Sequence, residues 1–334
     1  CHCRLAEHCR RDVESGTAEA RAQLAMYLND AAVRLDDLGR HDEALRAAED
    51  SVANWRELSS EKADSRSLQL AMSLNTLGIV LASLRRHPQA LTATDEAVTI
   101  CRSFVGARPA SVLPVLAMSL SNRACRLLPL NRYKEARRAA HEAAEIYRGL
   151  ASVRGIEFHL RRVEALNNLL LALEALGEFP KALETNREVV HLWRALTEVR
   201  PDAFRPELAK SLTTRARLLS RFDGHQEALA ASEEAIAHWR ALAEANPDAF
   251  RGYFAHALWV RGGALLNAGQ PRHAAASFAD GIRELRKFGQ VPAVHRSLMS
   301  ALADGYMLAC EDAAMEPDAT LFTSICREPP ANEV

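Results

Sequence analysis

Cys1, His2, Cys3, His8 and Cys9 crowd the start of the chain with groups that bind metals. Structural zinc sites take C-x2-4-C pairs with a second pair elsewhere, and the sequence offers neither, so no metal is expected. Cys101, Cys125, Cys310 and Cys326 are scattered, as reduced thiols are. A glycine-rich phosphate loop, GxSxG, HExxH and a recurring acid pair are all missing, so neither enzyme chemistry nor a cofactor is expected. One charged residue does recur: Arg56, Arg102, Arg148, Arg194, Arg240 and Arg286 are evenly spaced. A site is rarely needed six times over. The series reads as structure, a cation near each of six helix C-termini, where the dipole favours it by about 0.3 to 1 kcal/mol. The tryptophans at 55, 193 and 239 share another register and read as core, whereas Trp259 stands apart.

The elements that position these residues repeat every 46 residues. Leu28, Leu74, Leu120, Leu166, Leu212 and Leu258 occupy one register, and Ala44, Ala90, Ala136, Ala182, Ala228 and Ala274 another, with no insertion between copies. In the copy from Leu70 to Phe104, Leu70, Leu74, Leu77, Gly78, Leu81 and Leu84 lie on one face of a first helix, A. Arg85 to His87 breaks it. Pro88 then suits the first turn of a second helix, B, whose buried stripe is Ala90, Leu91, Ala97, Val98 and Cys101. Each unit is therefore a helical hairpin, and a fixed period with fixed burial positions means hairpins stacked in series, each covering its neighbour's apolar face.

This pattern predicts remnants of an earlier B helix in residues 1–17, six helix pairs over 18–288, a capping helix over 289–312 and a tail over 313–334. The Cys1 to Asp12 segment aligns one period upstream of Trp55-Arg56, which predicts that the chain is part of a longer protein. A length of 334 residues would ordinarily mean two or three domains. A solenoid escapes that rule because its core lengthens with each unit. A formal net charge of −1 gives no broad surface for nucleic acid or an anionic membrane. No apolar run approaches the roughly 20 residues that span a bilayer, so the cytoplasm is the expected compartment.

Leu28, Ala32, Leu35, Ala44 and Ser51 follow the spacing of the tetratricopeptide repeat (TPR), with a small residue in helix A and an alanine twelve residues on, where the two helices cross. LNTLG at 74–78 and LNNLL at 166–170, followed by EAL or KAL, resemble the longer variety found in kinesin light chains and many bacterial signalling proteins. The resemblance covers about residues 18–288. It departs in period, since the usual unit is about 34 residues. It departs also in the aromatic of helix B: Ala48, Thr94, Ala140, Asn186 and Ser232 replace it, and Phe278 alone keeps it.

The resemblance implies an all-α, right-handed superhelical solenoid of antiparallel helix pairs whose A helices line a concave groove. Carried over residue by residue, the groove positions are Asn29, Asn75, Ser121, Asn167, Thr213 and Trp259, and one residue along Asp30, Thr76, Asn122, Asn168, Thr214 and Val260. An asparagine column can both donate to and accept from an extended peptide backbone. The competing reading is a polar, solvated helix face. Asp30, Asp36 and Asp37 at one end, against Lys210, Arg215, Arg217, Arg221, His256 and Arg261 at the other, would orient a charged partner, unless these arginines lie between helices and pair with carboxylates. The expected function is a scaffold binding a peptide or protein segment in the groove. The alternative is the sensor or autoinhibitory arm of a larger bacterial signalling protein, an upstream NTPase or regulator.

Overall fold

A computed structural model describes residues 17–61, 65–222 and 224–321. The expectations for Cys1 to Asp12 and for the last residues of the tail lie outside them. The described residues form thirteen α-helices and no strand: α1 Ala18–Asp37, α2 His41–Glu61, α3 Ser65–Ser83, α4 His87–Phe104, α5 Pro109–Leu127, α6 Tyr133–Arg154, α7 Ile156–Ala175, α8 Phe179–Val199, α9 Pro201–Leu219, α10 His225–Ala245, α11 Pro247–Asn267, α12 Pro271–Arg286 and α13 Arg296–Asp312. Odd-numbered helices from α1 to α11 are the predicted A helices and even-numbered ones the B helices. The chain divides into two compact units between Glu178 and Phe179, so α1 to α7 belong to the first and α8 to α13 to the second.

The A-to-B turns are built alike because one residue in each takes a left-handed conformation: Gly39, Arg85, Asn131, Gly177 and Gly269, each 46 residues or a multiple from the next. That geometry lets the following N–H reach back to a leucine carbonyl, from Arg40 to Leu35, Arg86 to Leu81, Arg132 to Leu127, Glu178 to Leu173 and Gln270 to Leu265, at 2.8 to 3.1 Å. These are Schellman closures, which satisfy carbonyls that the helix end would otherwise leave open. The leucine register is thus fixed twice, by its buried side chain and by its carbonyl. Pro109, Pro201 and Pro247 open α5, α9 and α11 at positions that need no N–H.

Both predicted core registers are buried throughout, the six alanines from Ala44 to Ala274 completely. In the first unit one core cluster joins Leu24, Leu28 and Leu35 to Val80, Leu81 and Ala90, so it spans two hairpins. In the second, Ala255, Leu265 and Phe278 share a cluster with Met299, Leu302 and Tyr306 of α13, which covers the last pair. The missing helix B aromatics are offset by ring pairs between the end of one B helix and the start of the next A helix. Tyr147 meets Phe158 at 6.2 Å, Trp193 meets Phe204 at 5.7 Å and Trp239 meets Phe250 at 6.1 Å between centroids. Within each unit, neighbouring A helices also touch one another directly, α1 with α3, α3 with α5, α5 with α7, α9 with α11, and α11 with α13. Their exposed faces therefore form continuous surfaces.

Candidate partner-binding faces

The asparagines predicted to line a groove are largely engaged between A helices. The Asn75 side chain donates to the Ala71 carbonyl at 2.9 Å and to Ser119 Oγ at 2.7 Å, while its Oδ1 accepts from Asn122 Nδ2 at 3.2 Å. Asn168 donates to the carbonyl and the hydroxyl of Ser121, both at 3.3 Å. Asn267 reaches the Ser220 carbonyl at 2.8 Å. Each of the bonds from Asn122, Asn168 and Asn267 spans 47 residues, one period plus one, so the column is a seam stitching successive A helices. Asn75 and Thr213 are only 2% and 6% exposed. Thr213 donates to the Ala209 carbonyl at 2.8 Å and accepts from Trp239 Nε1 at 3.1 Å. Neither is open to a ligand, contrary to expectation, because a buried amide or hydroxyl whose bonds are made has nothing left to offer.

Asn167 is exposed, and Asn29 is half-buried with an Oδ1 that no hydrogen bond engages. In the second unit, Lys210 pairs with Glu207 at 2.8 Å and stands 5.5 Å over the exposed ring of Tyr253. Arg221 lies 4.5 Å over Phe179. Trp259 is half-buried, packs against the core and meets His256 at 5.7 Å, so it is no open platform. Burial, and secondarily the positive charge of Arg217, push the His256 imidazole below its usual pKa. Burial does the same to His238, with Arg205 and Arg194 adding to it against Glu234. Arg261 stands 3.9 Å from Glu233, a pairing between helices that removes it from the predicted charged face.

Three of the six recurring arginines have a structural role beyond the one expected. Arg56, Arg102 and Arg194 each donate, at 2.7 Å, to a carboxylate 40 residues on in the next B helix: Glu96, Glu142 and Glu234. They link hairpins, and Arg102 also stands in the last turn of its own helix, as expected. Such exposed pairs contribute about 0 to 1 kcal/mol each.

What periodicity alone did not single out is apolar surface on the A helices of the first unit. Met26, Met72 and Met118 stand one period apart, as do Val33, Ile79, Cys125 and Leu171. Met26 is 53% exposed and Leu171 55%; Val33, Met72, Ile79 and Cys125 are also exposed, and Met118 is half-buried. The signal was present in the seven-residue spacing from Met26 to Val33 and from Met72 to Ile79, two helical turns along one face. In the second unit the same registers hold Lys210 and His256, then Arg217 and Gly263. Among the described residues no group of three or more His, Cys, Asp or Glu could hold a metal ion, and no helix is long and apolar enough to cross a membrane.

Residues 24–62, 70–109 and 116–152 match the family model of the tetratricopeptide repeat. Among solved structures the fold is similar to BtubC (BKLC) from P. vanneervenii, at 17% identity and a TM-score of 0.57, over 75% of this chain and 92% of that one. A kinesin light chain protein of Podosopora anserina with nearly identical TPR-like repeats matches at 19% identity and a TM-score of 0.52, over 67% and 98%. Nro1, a hypoxic regulator of sterol synthesis and nuclear import adaptor, matches at 12% identity and a TM-score of 0.56, over 90% and 98%. No curated protein matches the sequence.

Proposed function

We propose that this chain, which carries tetratricopeptide repeats, is a protein-interaction scaffold whose first unit holds a peptide or protein segment on the exposed faces of α1, α3, α5 and α7. The rows Met26–Met72–Met118 and Val33–Ile79–Cys125–Leu171, exposed except at half-buried Met118, carry this reading. Apolar side chains aligned at one spacing across four helices that touch form a surface whose burial by a partner is favourable, by roughly 25 cal/mol per Å². Methionine adapts its shape to varied partners. Asn167 stands beside these rows with an exposed amide available to a partner's backbone. Nro1, a nuclear import adaptor, has a role of the same general kind.

Peptides selected from a random library on the full chain test the proposal. Met72→Glu combined with Ile79→Glu should abolish their binding while leaving the helical circular dichroism unchanged. Equal binding to the double variant would overturn it.

A further inference from the structure

Arginine occupies one register of three A helices: Arg123 in α5, Arg215 in α9 and Arg261 in α11. The B-helix residue 28 positions before each is Asp95, Arg187 and Glu233 respectively. Asp95 takes Arg123 at 2.5 Å, and Glu233 stands 3.9 Å from Arg261. Where those two arginines have a carboxylate, Arg215 has a second cation. Among the described residues, neither Arg187 nor Arg215 is held in a hydrogen bond or ion pair.

Both line a cleft of about 810 Å³ within the second unit, walled by α8 and α10 and floored by Leu212 of α9. The cleft at the same register of the first unit, crossed by the Asp95–Arg123 pair, has about 430 Å³. Like charges facing across a cleft repel, and the repulsion is relieved when an anion sits between them. Two planar guanidinium forks suit the flat or tripod oxygens of carboxylate and phosphate. His191 lines the same wall and adds a donor.

We propose that the cleft between α8 and α10 binds a single oxyanion, a carboxylate or a phosphate monoester, held between Arg187 and Arg215. Glu184, Glu188, Glu227 and Glu234 also line it. Arg194 takes Glu234 at 2.7 Å. The remaining carboxylates set the ligand class, because they would repel a polyanion more than a single oxyanion. The site lies between B helices, apart from the exposed A-helix faces, and stands whether or not those hold a segment.

Thermal unfolding of the full chain, titrated with sodium phosphate or with N-acetylglutamate at fixed ionic strength, tests this. A saturable rise in Tm with at least one of the two probes is expected, since a ligand of the folded state stabilises it by mass action. Which probe acts assigns the oxyanion to phosphate or to carboxylate. Arg187→Asp should remove the rise, and in the absence of either probe should melt higher than the natural protein, because a carboxylate there would pair with Arg215 as Asp95 pairs with Arg123. Arg215→Ala should also remove the rise. A rise that survives in both variants, or no rise with either probe, would overturn the proposal.

Discussion

Gly262 and Gly263 are neighbours in α11 and should answer an added methyl group in opposite ways. A Cβ on Gly262 would stand 2.4 to 2.7 Å from the ring of Phe278, whereas one on Gly263 would meet nothing within 4 Å. Gly262→Ala should therefore cost about 1 to 3 kcal/mol by overpacking. Gly263→Ala should gain up to about 1 kcal/mol of helix propensity. Urea midpoints that moved the same way in both variants would refute the assignment. His238 and His256 make a second prediction, on pH. Their folded pKa values are lowered, chiefly by burial, so the unfolded chain takes up protons first as pH falls. The stability they support is fully present above the unfolded value of about 6.5 and is lost as pH drops through it toward the lower folded values. His238→Gln with His256→Gln should flatten the decline in urea midpoint over that window, and an unchanged slope would show that other groups govern it.

Helix against helix, the A seam changes what asparagine is worth. Read from sequence, Asn75 belonged to a ligand face and its loss would cost little. Buried, and bonded to Ala71, Ser119 and Asn122, it should cost about 1 to 3 kcal/mol as Asn75→Ala, because partners on two helices lose their bonds. Leu120→Ala, at the buried leucine register, should cost about 2 to 5 kcal/mol. Denaturant unfolding checks both, and a neutral Asn75→Ala would return that residue to the solvated face. The reason sequence misled here is physical. A period shows that a polar side chain recurs, but its partners lie 44 and 47 residues away on the neighbouring A helix, and a hydrogen bond to a neighbouring helix leaves the same trace as one to a ligand.

Across the whole chain, what was legible is what every repeat must do alike. Leucines that close a Schellman turn and alanines at a helix crossing cannot vary without loss, so they print the period and the helix pairs. Partner contacts have no such duty to repeat, and their residues change from one unit to the next. The A faces of the first unit carry Met26, Met72, Val33 and Ile79, and those of the second carry Lys210 and Arg217. A segment bound at the first unit should thus be read by apolar contact, and one bound at the second by charge. Arg217→Glu with Arg221→Glu should slow association of an acidic library-selected peptide and weaken its salt dependence, whereas Met72→Glu should speed dissociation of a peptide held at the first unit. Stopped-flow binding at two ionic strengths checks this, and association rates indifferent to the charge reversal would exclude a steering role.

Phe278 has a consequence for how such arrays change over time. Its ring is flanked by Gly262 in its own hairpin and by Gly305 of α13, and a methyl group on either would approach it within 2.8 Å. Four periods earlier, the corresponding trio is Thr94, Gly78 and Ser121. An aromatic ring could enter that hairpin only after Ser121 had shrunk, since the reverse order passes through a clash. Small residues on two separate helices must come first, and this ordering of permitted steps would make a lost ring hard to regain.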